Sequence, residues 1–242
     1  MPKLRIIAGP NGSGKSTLIE YLRENFALSF GFYLNADEVE KTLSKVGGIN
    51  LSDWNLSVKE EFLLGFLAGH PLAPRLSISG VRVLNNALIV PSEAAGGYFA
   101  ACLSDFIRKE WVKSGQSFTF ETVMSGADKL DLLQTARGAG FRVYLYFVCT
   151  DDLEINRRRV AFRVAEGGHD VPSDKISSRY HASLANLRSA IWLSNRAYLF
   201  DNSGTSLRFF AEFEEQKLVQ VSEHPPNWFI TSGLVDSDED PN

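Results

Sequence analysis

Short apolar runs alternate along the chain with stretches in which apolar residues recur at helical spacing. The run from Leu4 to Ala8 predicts a buried strand, and apolar positions from Leu18 to Phe26 predict a helix over 16–26. The same two patterns predict further strands over 32–34, 117–122, 141–148 and 196–200, and helices over 38–45, 129–139 and 175–193. This alternation is typical of an α/β fold, a doubly wound parallel sheet with helices on both faces.

The segment from about residue 50 to 97 departs from this alternation. Its pattern predicts a helix over 58–67 and a hairpin over 81–90, whose turn is Asn85-Asn86 because asparagine tolerates positive φ. An amphipathic helix over 93–114 follows. The helix-and-hairpin insertion would shape a substrate pocket, form an oligomer contact or have no specific role, and the sequence does not decide among these.

The sequence predicts a single domain over 1–234 that includes this insertion. A length of 242 residues suits one large or two small domains, and 44% hydrophobic residues suffice for a sizeable core. Its last strands are expected over 207–221, and the acidic residues from 235 to 242 predict a disordered tail. No apolar run approaches the ~20 residues of a membrane span, and the charged N-terminus does not predict a signal peptide.

Cysteine content and net charge bear on the expected compartment and substrate class of the protein. Cys102 and Cys149 lie in apolar stretches and are expected to be reduced core residues, so we expect a cytoplasmic protein without a membrane partner. The net charge of −4 lacks the basic bias of nucleic-acid-binding proteins and makes a nucleic-acid substrate the weaker expectation.

The clearest chemical signal lies between the first strand and the first helix. The segment Gly9-Pro10-Asn11-Gly12-Ser13-Gly14-Lys15-Ser16 fits the phosphate-binding loop of nucleoside-triphosphate enzymes. Glycines let backbone N–H groups approach a phosphate, and the helix start adds the positive end of its dipole. We expect Lys15 to reach the β- and γ-phosphates of ATP or GTP and Ser16 to bind Mg²⁺, with Thr17 also in the nucleotide site. An incidental glycine-rich turn is the alternative.

A carboxylate follows the second predicted strand. Asp37 comes just after Leu34, at the edge of the sheet where ligands bind in parallel α/β proteins. There it would accept a proton from an attacking hydroxyl, or it would simply cap the next helix. The spacing alone leaves both readings open.

Arginines are concentrated on a predicted helix after the 141–148 strand. Arg159 and Arg163 are four residues apart and share a face, where they would neutralise a transferring phosphoryl group; Arg157 and Arg158 are expected to point outward. A solvated basic face is the alternative. His169 follows in a glycine-flanked turn and is expected to act as a hinge or hydrogen-bonding residue rather than a metal ligand.

Several segments together resemble the zeta-toxin family of small P-loop kinases. They are GPNGSGKSTL at 9–18, LNADE at 34–38, FTFETVMSG at 118–126, RVAFRVAEGGHDVP at 159–172, RYHASLANL at 179–187 and YLFDNSG at 198–204. The resemblance covers most of the chain apart from the insertion and the tail. The interval between Asp37 and Glu121 is longer than expected for the family, and GGHDVP is typical of its less characterised branch.

The resemblance implies a kinase that uses ATP and Mg²⁺ to phosphorylate a small-molecule hydroxyl. In toxins of the family that hydroxyl belongs to UDP-N-acetylglucosamine, and an antitoxin protein is the expected partner. It further implies that Asp37 is the general base, that Glu121 positions substrate or a metal-bound water, and that a lid over 156–172 carries Arg159 and Arg163. Asn202 would lie near the adenine.

Two other functions remain open from the residues. A transporter-type ATPase would need an apolar strand running directly into Asp-Glu, but Cys149 and Thr150 separate the 141–148 strand from Asp151-Asp152, and no Leu-Ser-Gly-Gly signature is present. A kinase acting on nucleic-acid ends is the other, and the acidic balance counts against it.

Overall fold

The structure, a computed structural model, describes residues 1–26, 28–168 and 171–234. Its strands are β1 (Lys3–Ala8), β2 (Phe32–Leu34), β3 (Gly48–Asn50), β4 (Arg82–Leu84), β5 (Ala87–Ile89), β6 (Phe118–Thr122), β7 (Arg142–Cys149), β8 (Arg196–Asp201), β9 (Arg208–Glu214) and β10 (Lys217–Val221). Its α-helices are α1 (Lys15–Phe26), α2 (Ala36–Val46), α3 (Glu60–Gly69), α4 (Gly97–Lys113), α5 (Ala127–Gly138), α6 (Leu153–Ala165), α7 (Ser173–Trp192) and α8 (Asn227–Ile230). Short 3-10 helices span Leu51–Trp54 and Ala73–Arg75.

The chain divides into two compact units. The first contains Met1–Phe30 and Thr119–Asn242, and the second contains Gly31–Phe118. The second unit takes in the predicted insertion, and the single domain over 1–234 stays a prediction. In the described part of the chain, none of the helices has the length and apolar character needed to cross a bilayer.

The first unit is built on a sheet in the order β10-β9-β8-β7-β1-β6. β7 pairs in parallel with β1 on one side and β8 on the other, and β9 and β10 extend the sheet antiparallel. Leu145 and Phe147 of β7 are fully buried, as expected of an apolar strand between parallel neighbours with helices on the faces of the sheet. The predicted α/β class with a mainly parallel sheet is therefore confirmed.

The second unit holds a small antiparallel sheet in the order β3-β5-β4. The predicted hairpin is present, with Asn85 and Asn86 at φ 49° and 64° in its two-residue turn. The Asn86 amide donates to the Leu56 carbonyl at 2.6 Å, so its side chain ties the turn to the preceding segment. α4 begins at Gly97 rather than at Glu93, because residues 91–96 form turns before Gly96 caps the helix.

A histidine and a cysteine meet inside the second unit without forming a reactive pair. The Cys102 Sγ lies 3.1 Å from His70 Nδ1, and the Leu72 backbone N–H donates to the same nitrogen at 3.1 Å. Cys102 is fully buried, and burial, with Asp105 second, raises the pKa of its thiol to about 11. The thiol therefore stays protonated at neutral pH and acts as a core group.

Candidate active site

The predicted phosphate loop connects β1 to α1 in the first unit. The Ser13 N–H donates to the Pro10 carbonyl at 3.2 Å, and the Leu18 N–H donates to the Gly14 carbonyl at 2.9 Å as α1 begins. Lys15 Nζ donates to the carbonyls of Gly9 (2.9 Å) and Pro10 (3.1 Å), which holds the ammonium group over the loop. Ser16 and Thr17 are exposed in the first helical turn. The loop thus combines a cation, a hydroxyl and a helix N-terminus.

Glycine is required at three positions of this loop because its neighbours leave no room for a side chain. A Cβ at Gly9 would lie 2.1 Å from the Val148 carbonyl oxygen. At Gly12, with φ +76°, a Cβ would lie 2.5 Å from the backbone carbonyl oxygen of Asn156. At Gly14, with φ +100°, it would lie 2.0 Å from Asn202 Nδ2. The backbone can make this turn only without Cβ atoms.

Two asparagine side chains hold the loop from outside. Asn156 Nδ2 donates to the Asn11 carbonyl at 2.6 Å, and Asn202 Nδ2 donates to the Ser13 carbonyl at 2.9 Å. In a trans peptide the C=O and the following N–H point in opposite directions. The N–H groups of Gly12 and Gly14 are therefore directed away from the two amides, as a phosphate cradle requires.

Both asparagines are themselves fixed by buried contacts. The Thr150 hydroxyl donates to Asn156 Oδ1, and the Asn202 N–H donates to the Cys149 carbonyl at 2.9 Å. Sequence reasoning missed the role of Asn156, although a polar residue near the start of the helix after a central strand is a usable signal. The structure shows the Asn202 amide bonded to the loop backbone, and the expectation that Asn202 lies near the adenine stays a prediction.

The loop also holds buried polar atoms that make no hydrogen bond within the described part of the chain. Asn11 Oδ1 and Ser13 Oγ are buried and have no hydrogen-bond partner among the described residues. Buried polar atoms are nearly always paired in native proteins, so such an exception calls for an explanation. A bound anion with its hydrated cation would provide one.

The carboxyl end of β6 lies against the start of the loop. The Gly9 N–H donates to the Thr122 carbonyl at 3.2 Å, which places half-buried Glu121 one residue from this contact. Met124 follows with φ +60°, which is unusual for a bulky residue. Its N–H donates to the Thr122 hydroxyl and its carbonyl accepts from the Asn186 amide, both at 3.0 Å. The turn after Glu121 is therefore held rigidly.

The arginines of α6 differ in their surroundings. Asn156, Arg159 and Arg163 share one face of the helix through i, i+3 and i+7 spacing. Arg159 Nη1 is buried and lacks a hydrogen-bond partner within the described residues. Arg157, expected to point outward, is half-buried and donates to Glu154 and to Ser177 Oγ, whereas Arg158 is exposed as expected.

Arg163 lies at the end of α6, where the predicted lid begins to turn. Its side chain is exposed, and its carbonyl accepts a 2.9 Å hydrogen bond from the Gly168 N–H. A Cβ at Gly168 would lie 2.6 Å from Arg163 Cγ, so glycine allows this close return of the chain. The expectation for His169 lies outside the described residues, as does that for the 235–242 tail.

Asp37 belongs to the second unit and lies in the first turn of α2. The cap of this helix is Asn35, whose side-chain oxygen accepts from the Asp37 N–H at 2.9 Å. The reading of Asp37 as the N-cap is therefore wrong, and its carboxylate is exposed. Its role as a general base stays a prediction.

The described residues contain no group of three or more His, Cys, Asp and Glu side chains that could hold a metal ion. A protein-only metal centre is thus not formed by these residues. A Mg²⁺ ion held by one hydroxyl and substrate phosphates does not need such a cluster.

Comparisons with known proteins bear on the fold of the chain. No protein-family model matches the chain. A chain of the native AvrRxo1-ORF1:AvrRxo1-ORF2 complex is similar with a TM-score of 0.59 and 17% identity, over 98% of this chain and 66% of that one. For the same complex with ATP, the TM-score is 0.57 at 16% identity, over 91% and 60% of the two chains. An uncharacterized protein of Haemophilus influenzae is 33% identical over 69 residues, 28% of this chain and 49% of that protein.

The structural similarities bear on the fold of the chain and not on its activity. It spans about half of the Haemophilus protein and less than two thirds of the AvrRxo1 chain solved with ATP. The predicted resemblance to zeta-toxin-like P-loop kinases is confirmed at the level of the fold, since the AvrRxo1 chains are similar over more than nine tenths of this chain. The chain has a P-loop kinase fold.

Proposed function

We propose that this protein is an ATP-dependent kinase that transfers the γ-phosphate to a hydroxyl group of a small molecule. The observation that carries the proposal is the phosphate loop, in which three glycines are sterically required and two asparagine amides turn the N–H groups of Gly12 and Gly14 away from them. An incidental turn would need neither the three glycines nor the two asparagine hydrogen bonds.

The residues of the loop fit a nucleoside triphosphate with Mg²⁺. Lys15 would contact the β- and γ-phosphates, and the Ser16 hydroxyl would hold the cation. Buried Asn11 Oδ1 and Ser13 Oγ, which lack hydrogen-bond partners in the described part of the chain, are further groups for a hydrated phosphate. Bound Mg²⁺ would neutralise charge on the phosphate oxygens.

The remaining predicted residues divide the chemistry between them. Asp37 would accept the proton of the acceptor hydroxyl as its oxygen bonds to the γ-phosphorus and the bond to the ADP oxygen breaks. Glu121, held by the rigid turn after β6, would position the acceptor or a metal-bound water. Arg159 and Arg163 would stabilise charge on the phosphoryl group, which suits the Nη1 of Arg159, buried and without a hydrogen-bond partner among the described residues.

UDP-N-acetylglucosamine is the acceptor that we propose first, on the resemblance of six sequence segments to zeta toxins. A protein antitoxin is the proposed partner, on the same resemblance to zeta toxins and because AvrRxo1-ORF1 was solved in complex with AvrRxo1-ORF2. The cytoplasm, which supplies both ATP and the sugar nucleotide, is the proposed compartment.

Two substitutions separate nucleotide binding from transfer. Lys15→Ala should abolish turnover and weaken MgATP binding, because the phosphate contact is lost. Asp37→Asn should bind MgATP normally and lose about a hundredfold or more in transfer rate, because only proton acceptance is affected. Binding is measured by calorimetry and transfer by the labelled product.

Matched controls are available on α2, the helix that carries Asp37. Lys45→Ala removes an exposed lysine of α2, and Glu38→Gln removes the carboxylate next to Asp37, which pairs with Lys41. Both should retain binding and transfer. Full transfer activity in Asp37→Asn would show that Asp37 is not the base.

A further inference from the structure

The C-terminal segment, residues 224–230, is packed into the first unit beside the loops that hold the phosphate loop. It contains α8, in which Trp228 and Phe229 are 3% and 2% exposed. The Trp228 ring lies 5.8 Å from the ring of Phe147 on β7 and 5.3 Å from that of Phe210 on β9. A buried aromatic cluster therefore fixes the segment on the sheet.

Trp228 also makes two hydrogen bonds to aspartates. Its backbone N–H donates to Asp151 Oδ1 at 2.8 Å, and its indole Nε1–H donates to Asp201 Oδ1 at 3.3 Å. Asp151 lies in the loop after β7, and Asp201 ends β8. One residue therefore joins the ends of two neighbouring central strands.

Ser203 completes the connection between these strand ends. Its hydroxyl donates to Asp201 Oδ1 at 2.6 Å and accepts from the Asp151 N–H at 2.8 Å. Arg208 adds a second anchor, because its Nη1 donates to the His224 carbonyl at 2.8 Å and its Nη2 lies 3.8 Å from Asp201 Oδ2. The segment is held at both ends by groups that converge on Asp201.

Asn202 stands between the two residues that this network fixes. Asp201 precedes it, Ser203 follows it, and its amide is the one that donates to the Ser13 carbonyl. A shift of this backbone would move Nδ2 away from the loop. We propose that Trp228 is a positioning residue for the nucleotide site, acting through Asp201 and Asn202 on the phosphate loop. The inference rests on the proposed binding of ATP.

The indole N–H is the part of Trp228 that packing does not explain. A phenylalanine would keep the ring against Phe147 and Phe210. Asp201 is 8% exposed, and a buried carboxylate needs donors on its oxygens to stay in place. Removing one donor should leave the core packed and loosen the position of Asp201.

The test measures MgATP affinity by calorimetry in the full chain, with thermal unfolding in parallel. Trp228→Phe should raise the dissociation constant about threefold to tenfold, because only part of the free energy of the lost hydrogen bond to Asp201 is passed on to the nucleotide site. Ser203→Ala should act in the same direction. Trp192→Phe, which changes an exposed tryptophan, and Ser232→Ala, whose hydroxyl donates to the Phe229 carbonyl three residues earlier, are the matched controls and should bind as the wild type does.

A double-mutant cycle tests the route through Asn202. In an Asn202→Ala background, Trp228→Phe should change the affinity by less than about twofold, because the group that it positions is gone. An equal loss in both backgrounds would overturn the proposal, as would wild-type affinity in Trp228→Phe. If the wild type does not bind MgATP, the proposed function fails as well; if Lys15→Ala loses binding and Trp228→Phe does not, only the positioning role fails.

Discussion

The side-chain amide of Asn202 donates a 2.9 Å hydrogen bond to the carbonyl of Ser13, 189 positions earlier in the chain. Asn156 makes the equivalent contact with the Asn11 carbonyl at 2.6 Å. Two carbonyls of one loop are therefore held on its outer side, and the N–H groups that follow them are turned the other way. The conformation of the phosphate loop depends on residues far outside its own sequence pattern.

Asn156→Ala should weaken MgATP binding about tenfold and lower the free energy of unfolding by about 1–3 kcal/mol. The Asn11 carbonyl and the Thr150 hydroxyl would both lose a buried partner. Asn195→Ala is the matched control, since its amide binds the Val143 N–H and Glu215 at the other end of the sheet. It should destabilise the fold without changing affinity, and calorimetry with urea unfolding measures both. Unchanged affinity in Asn156→Ala would remove Asn156 from the nucleotide site.

Gly14→Ala should reduce MgATP affinity by about tenfold or more, because φ +100° strains an alanine by about 1–3 kcal/mol and its Cβ would collide with the Asn202 amide. Gly65→Ala provides the contrast. Gly65 lies within α3 with nothing within 4 Å of a Cβ, so alanine there should stabilise the protein by about 0.5–1 kcal/mol. Binding isotherms and thermal unfolding of both variants check this, and tight nucleotide binding by Gly14→Ala would count against the cradle.

Arg159→Ala should lower kcat about a hundredfold while leaving the KM for ATP within a fewfold, because its guanidinium is proposed to stabilise charge that develops during transfer. Arg158→Ala, one residue away and exposed, should behave as the wild type does. Steady-state kinetics at saturating acceptor separates the two constants. Equal kcat values for the two variants would show that Arg159 does not take part in transfer and would favour the alternative of a solvated basic face.

The two thiols predict a loss of stability in alkaline solution. Burial raises the pKa of Cys102 from 9.0 to about 11 and that of Cys149 from 9.0 to about 12. From pH 9 up to the raised pKa, about 11 for Cys102 and about 12 for Cys149, the unfolded chain loses thiol protons that the folded chain keeps, so the free energy of unfolding falls as the pH rises. Each thiol lowers the free energy of unfolding by at most about 1.4 kcal/mol per pH unit within this window, and it adds no slope well below pH 9.

Urea unfolding under reducing conditions at several pH values measures this slope. The double variant Cys102→Ala with Cys149→Ala should lose the part of the slope that the thiols supply, whatever its stability at pH 7. Identical slopes in the wild type and the double variant would contradict the assignment.

Local signals in the sequence were sufficient for elements made by nearby residues. Asn85-Asn86 predicted the hairpin because positive φ at both turn positions is a local preference, and both residues adopt it. β3 was not predicted, since its pairing of Gly48 with Ile89 depends on contacts distant along the chain. α8 was missed as well, because it spans only Asn227–Ile230 and is stabilised by burial of its aromatic residues rather than by helical periodicity.

The residues of the candidate site also fall into those that a local pattern predicts and those that depend on distant contacts. Lys15 and the loop glycines follow from a local pattern, and the sterically forced contacts at Gly9, Gly12 and Gly14 agree with it. The contacts of Asn156 and Trp228 could not be read from spacing, since their side chains bond to partners 145 and 27 positions away along the chain. For Asp37, sequence reasoning allowed an N-cap, but the preceding Asn35 occupies that position.

Phosphoryl transfer itself is tested most directly with γ-labelled ATP and Mg²⁺, offered to the wild type with a panel of small-molecule acceptors that includes UDP-N-acetylglucosamine. Lys15→Ala is the blank. The account predicts label on an acceptor hydroxyl, with the sugar nucleotide as the first candidate. Label appearing only as free phosphate with every acceptor would contradict the kinase assignment and favour an ATPase.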